Sequence, residues 1–205
     1  MTLNLKKGLL LISGGFDSAV AGKMMLDRGM KVAAVHFSQE PFTDSSPEKK
    51  SRALCEKLGF SPFVAVNLGQ QFSELADRCD HRYYFVLSKR LMLRVASEIA
   101  RGQGCDCLIT GENLGQVSSQ TLDNLSVIDA AATLPVLRPL LGMDKNEIIN
   151  RCVELGTFEI SKGPELCGVL GPKNPATRST REHIEKEEAK VDIAWMVAAA
   201  TAPPA

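Results

Sequence analysis

The chain has no surplus of charge: 24 Lys and Arg balance 24 Asp and Glu, a formal net charge of zero. Proteins that grip nucleic acid unaided normally carry a basic excess that neutralises phosphates, so a nucleic-acid partner here needs a local basic patch or a second protein to present it. Basic residues do gather late, at Lys162, Lys173, Arg178 and Arg181, a pattern that solvated surface also produces. No stretch is apolar enough to span a bilayer, and residues 1–7 lack the long apolar region of a signal peptide. The expectation is a cytoplasmic protein without membrane contact. Histidine is scarce, with three in 205 residues, and none of the six cysteines forms a C-x-x-C pair. That argues against a zinc site and reads as reduced thiols serving as small core residues.

What is present is a strand–turn–helix at the start. The apolar run 8–12 reads as a buried strand, and 19–26 reads as a helix ending at Arg28-Gly29. Between them lies Ser13-Gly14-Gly15-Phe16-Asp17-Ser18. Glycines let the backbone approach closely, successive N–H groups converge, and the helix N-terminus adds its positive pole. Such a turn holds an anion, and the anion expected is a nucleotide phosphate.

The pattern then repeats. Strands are predicted at 31–37, 63–66 and 107–110, with a fifth strand or extended segment at 134–137. Pro47 opens a helix that Gly59 ends; residues 84–101 carry Leu87, Leu91, Val95 and Ile99 on one stripe; Asp144 caps a helix over 145–155. Residues 70–81 stay ambiguous, and 117–127 include a helix. Residues 156–177 form a long Gly-, Pro- and Lys-rich loop, of the kind that is functional or disordered. Ser179 with Glu182 forms a capping box for a last helix over 180–200. The fold predicted is α/β, a Rossmann-like parallel sheet of about five strands with helices on both faces. Ligands bind such sheets beyond the carboxyl ends of the strands, where the loops 13–18, 37–46 and 111–116 meet. Residues 1–178 are expected to form one domain, with 179–200 as a C-terminal helix packed on it and 201–205 as a disordered tail.

The turn is neither G-x-x-x-x-G-K-[ST] nor G-x-G-x-x-G, so Walker and dinucleotide readings have little support. S-G-G-[hydrophobic]-D-S after a strand resembles the PP-loop ATP pyrophosphatases. The resemblance implies that the loop holds the β- and γ-phosphates, that ATP is cut between α and β, and that AMP passes to a substrate oxygen. Ser13 and Ser18 would donate to phosphate oxygens. Asp17 is the oddity, since a carboxylate beside triphosphate is repulsive unless a cation such as Mg²⁺ intervenes. The alternative is that Asp17 satisfies N–H groups of the first helical turn.

Further blocks narrow the resemblance. They are Thr110-Gly111-Glu112-Asn113-Leu114-Gly115-Gln116, continuing to Gln120-Thr121; Leu137-Arg138-Pro139-Leu140 with Met143-Asp144-Lys145; Val35-His36-Phe37; and Pro164-Glu165-Leu166-Cys167-Gly168-Val169. Together these blocks resemble the tRNA 4-thiouridine synthetases, which also serve thiamine thiazole synthesis. The resemblance implies that Leu11, Ile12, His36, Phe37, Lys89, Gly111 and Gln120 line an ATP pocket together with Ser13, Gly14, Gly15, Phe16, Asp17 and Ser18. Taken alone, Lys89 reads as solvated surface and His36 as a satisfied structural histidine. At Gly111 a missing side chain would admit the nucleotide. The resemblance also makes Cys167 catalytic: its thiolate would attack a persulfide or carry the transferred sulfur. Cys55, Cys105, Cys107 and Cys152 read as packed core.

Three departures shape the expected partners. The family normally carries an N-terminal THUMP region that grips tRNA, whereas strand one here starts at residue 8, so tRNA is expected only with a separate THUMP-type partner. Some members carry a C-terminal rhodanese domain whose cysteine holds the persulfide; none is expected here, so the persulfide is expected from a donor such as a cysteine desulfurase. Where some members carry a C-x-x-C just before the lysine, this chain has Phe85 and Ser88, which excludes an iron–sulfur cluster there. A homodimer is compatible with the sequence. The implied function is ATP-dependent adenylation of an acceptor oxygen followed by sulfur transfer. The alternatives are a nucleotide-binding module without turnover and an amidating PP-loop enzyme.

Overall fold

The computed structural model describes residues 5–163 and 168–202. Five strands, β1 (Lys7–Leu11), β2 (Lys31–Ser38), β3 (Phe63–Asn67), β4 (Cys107–Ile109) and β5 (Val136–Leu137), form one sheet in the order β3-β2-β1-β4-β5. All pairings are parallel, with Leu9 of β1 opposite Ala33 of β2 on one side and Leu108 of β4 on the other. Both faces of the sheet are covered. Leu9, Ala33 and Val35 point into one core, while Leu10, Val32 and Ala34 point into the other. This two-sided burial is why β1 and β2 are near-continuous apolar runs rather than alternating ones.

The first core lies under α3 (Gly69–Arg78), α4 (Tyr84–Gly102), α5 (Leu122–Asp129), α8 (Arg181–Glu188) and α9 (Ile193–Thr201). The second lies under α1 (Phe16–Asp27), α2 (Ser46–Leu58) and α6 (Lys145–Glu154). The ambiguous stretch before α4 is helical: Gln71, Phe72 and Leu75 of α3 are buried. Leu87, Leu91 and Val95 of the α4 stripe are fully buried, as their four-residue spacing requires. Asp144 caps α6, its carboxylate accepting from the Asn146 N–H at 2.8 Å. Among the described residues no helix is long and apolar enough to cross a membrane.

Two local expectations change. The loop 156–177 is not structureless where it is described, because Phe158–Ser161 forms a helical turn, α7, whose Phe158 stacks on Phe16 at 5.3 Å. The last helix is two helices, and Ser179 does not cap the first. Thr180 does, accepting from the His183 N–H at 3.3 Å, while Ser179 Oγ donates to Asn124 Oδ1 at 2.7 Å. The break after Glu188 is fixed by Asp192, which caps α9 by accepting from the Trp195 N–H at 2.9 Å. The α8 end is tied to the domain by charge: buried Arg90 bonds both oxygens of Glu188 at 2.8 Å, and Arg94 joins them.

Candidate active site

β1 and β4 are the strands from which the chain turns to opposite edges, and the crevice at such a switch point is where this architecture binds ligands. A cavity of about 880 Å³ opens there. This lies within the roughly 300–1,000 Å³ typical of small-molecule sites. It draws its walls from the ends of β1, β2 and β4, from α4, and from the loops that follow them.

The floor is the 13–18 turn. Gly14 has φ +82°, a conformation that a side chain would strain, and an added Cβ would also lie 3.0 Å from Lys50 Cβ. α1 starts at Phe16 with Gly15 as N-cap and no side-chain capping bond. The first N–H groups of the helix therefore lack the partner that a Ser or Asp cap supplies. Ser13 and Ser18 brace the turn: the Ser13 N–H donates to Ser18 Oγ at 3.2 Å, and the two hydroxyls lie 3.3 Å apart. Gly111 brings the end of β4 against this floor. A Cβ there would lie 2.6 Å from Ser18 N and 2.7 Å from Asp17 C, so the missing side chain makes room for the first turn of α1 itself.

The Asp17 carboxylate accepts from Lys145 Nζ at 2.7 and 2.9 Å. An ammonium thus already offsets the charge that suggested Mg²⁺. Among the described residues no group of three or more His, Cys, Asp or Glu is arranged to hold a metal ion. A second ion pair stands in the opposite wall, where Lys89 Nζ donates to Glu112 Oε1 at 2.7 Å. Glu112 Oε2 accepts from Arg138 Nε at 2.9 Å. Burial alone would raise the Glu112 pKa, but Lys89 and Arg138 outweigh it and hold the carboxyl below its ordinary value.

His36 is buried, and burial lowers its pKa against the opposing pull of the Ile12 carbonyl and Glu48. Its Nδ1 lies 2.9 Å from the Ile12 carbonyl, which only accepts, so Nδ1 carries the proton of a neutral ring. Ser51 Oγ is also within 3.1 Å of Nδ1. The ring thereby ties the end of β2 to the end of β1 beside the turn. Three buried polar atoms of the lining, Gln116 Nε2, Gln120 Oε1 and Ser161 Oγ, have no hydrogen-bond partner among the described residues. Buried polar atoms are rarely left so.

Leu11, Ile12, Ser13, Gly14, Gly15, Phe16, Asp17, Ser18, His36, Phe37, Lys89, Gly111 and Gln120, the residues that the sequence pointed to, all line this cavity. Cys167 lies outside the described residues; Gly168, bonded directly to it, lines the cavity. The other cysteines, Cys55, Cys79, Cys105, Cys107 and Cys152, are all buried. Burial pushes the Cys55 thiol up to about 12 and those of Cys79 and Cys107 up to about 11, which suits inert packing.

The family model of the thiamine biosynthesis protein ThiI matches residues 4–193. The chain belongs to the ThiI family. Among its relatives, the probable tRNA sulfurtransferase of Finegoldia magna is 41% identical over 93% of this chain, and that of Caldanaerobacter subterraneus is 40% identical over 91%. The chain spans about half the length of the curated relatives it matches, 50% in both cases. A solved 4-thiouridine synthetase–RNA complex with bound ATP superposes with a TM-score of 0.89 at 41% identity, covering 95% of this chain and 53% of that one. NMN synthetase from Francisella tularensis, at 13% identity and a TM-score of 0.62, shares the fold.

Glu112, Arg138 and Lys145 are the site residues that sequence reasoning left unassigned. All three sit inside motif blocks already noted. Their partners lie far off in sequence, 128 residues for Lys145 with Asp17 and 26 for Arg138 with Glu112. No local spacing could have paired them.

Proposed function

We propose that this chain binds ATP in the switch-point cavity, adenylates an acceptor oxygen with release of pyrophosphate, and supports displacement of AMP by sulfur. The observation that carries the reading is the convergence of every sequence-indicated nucleotide residue on one cavity whose floor is an uncapped helix start. Such a floor suits a phosphate chain. Lys145 offers an ammonium beside it, and Lys89 offers another across the cavity. ATP supplies the AMP group that turns a poor oxygen leaving group into a good one. Mg²⁺ would enter with the phosphates, with Asp17 as its one protein carboxylate at the turn, in exchange with Lys145.

The acceptor we propose is a tRNA uridine. The bound RNA and ATP of the similar 4-thiouridine synthetase favour it, as do the names of the curated relatives. With a net charge of zero, the chain would receive tRNA from a THUMP-type region or partner. Sulfur handling is assigned to Cys167, with a cysteine desulfurase as donor: Gly168 lines the cavity, and the five other thiols are buried.

The test is product analysis with ATP, unmodified tRNA, a THUMP-bearing relative fragment and a loaded desulfurase. AMP and pyrophosphate are expected, whereas ADP would exclude the chemistry. Cys167→Ser should keep ATP affinity and lose sulfur incorporation. Full incorporation in that variant would move the sulfur step to another group.

A further inference from the structure

Lys89 is held by a chain of charge that reaches back out of the cavity. Glu112 uses both carboxylate oxygens: Oε1 accepts from Lys89 Nζ at 2.7 Å, while Oε2 accepts from Arg138 Nε at 2.9 Å and from Thr110 Oγ1 at 3.2 Å. Arg138 turns its remaining nitrogens to Asp129, donating to Oδ2 at 2.9 Å and to Oδ1 at 2.5 Å. Lys89 and Glu112 line the cavity; Arg138 and Asp129 stand outside it. The Glu112 side chain is 11% exposed and that of Arg138 is 8% exposed. A carboxylate that deep is tolerated only when paired, and here two cations grip it from opposite sides.

An ammonium on a flexible four-carbon stem would otherwise sample many positions. It carries three N–H donors. One is taken by Glu112, and among the described residues Lys89 Nζ has no other hydrogen-bond acceptor.

We propose that Glu112 is a positioning residue for the nucleotide: it fixes the Lys89 ammonium on the cavity wall so that the two remaining N–H donors meet an anionic oxygen of ATP. This rests on the reading that the cavity holds ATP. Asp129 and Arg138 anchor Glu112, Glu112 anchors Lys89, and only Lys89 meets the ligand. Glu112 therefore matters to ATP through Lys89 alone.

The test is a calorimetric cycle of ATP affinity in the chain, Lys89→Met, Glu112→Asp and the double variant. Glu112→Asp keeps the charge that buried Arg138 needs but is one methylene too short to reach both cations. Each single variant should weaken ATP about tenfold, and the double variant should be no weaker than Lys89→Met to within about twofold. Arg138→Lys loosens Glu112 from behind and gives a second route if Glu112→Asp does not fold. It should weaken ATP in the unaltered chain and leave the Lys89→Met background unmoved. A purely structural Glu112 would lower the Tm without touching these ratios. Losses that multiply to about a hundredfold, or unaltered affinity in Glu112→Asp, overturn this inference alone. A parent chain that binds no ATP overturns the cavity reading and this inference with it.

Discussion

At the scale of the residue, Gly111 shows how a position can be legible while its reason is not. Its place after β4 marked it as part of the site, with the absent side chain making space for nucleotide. The structure makes the contact internal, since the space is taken by the backbone of Asp17 and Ser18. Backbone cannot swing aside as a side chain tip can. Gly111→Ala should therefore cost about 1–3 kcal/mol of stability by overpacking. It should also weaken ATP by about tenfold or more, or ~1.4 kcal/mol, because the 13–18 turn must shift. Urea unfolding and calorimetry check the two effects; an alanine variant of unaltered ATP affinity would show that the turn tolerates displacement. The 13–18 turn itself was legible because its chemistry is local, carried by glycine and serine at fixed offsets. Lys145, Glu112 and Arg138 were not, because an ion pair between distant segments leaves no local pattern.

At the scale of the element, periodicity placed the strands and α4, where burial on one stripe or both faces writes itself into composition. The C-terminal pair α8 and α9 read as one helix because 180–200 contains no glycine or proline to stop it. What splits it is a cap at Asp192 and the tertiary tie of Glu188 to Arg90 and Arg94. Glu188 has a folded pKa below its ordinary 4.5: burial would raise it, but hydrogen bonds from Arg90 and Arg94 win. A depressed carboxylate contributes stability that is full above 4.5 and is lost as pH falls through the folded value. Glu188→Gln should then cost about 3–5 kcal/mol near neutrality, since it leaves Arg90 buried without its counter-charge. The variant should also lose less stability than the parent on acidification. Urea midpoints at about pH 7 and about pH 4 measure both. Parallel pH curves for the two proteins would show that Glu188 does not carry the linkage.

At the scale of the whole molecule, the order β3-β2-β1-β4-β5 converts scattered motifs into one site. The loops after β1, β2 and β4 lie far apart in sequence, yet the strands bring their carboxyl ends side by side. Alternation of strands and helices foretold that meeting point, because parallel sheets with helices on both faces leave one switch point open. The chain spans about half the length of the probable tRNA sulfurtransferases it matches, and its formal net charge is zero.

The most direct measurement is a crystal structure of the chain with an ATP analogue whose α–β linkage cannot be cut. The account predicts its phosphates against the backbone N–H groups at Gly14–Ser18, with Lys145 drawn toward them and the base beside His36 and Phe37. A nucleotide bound elsewhere, with the turn at β1 holding nothing, would contradict it.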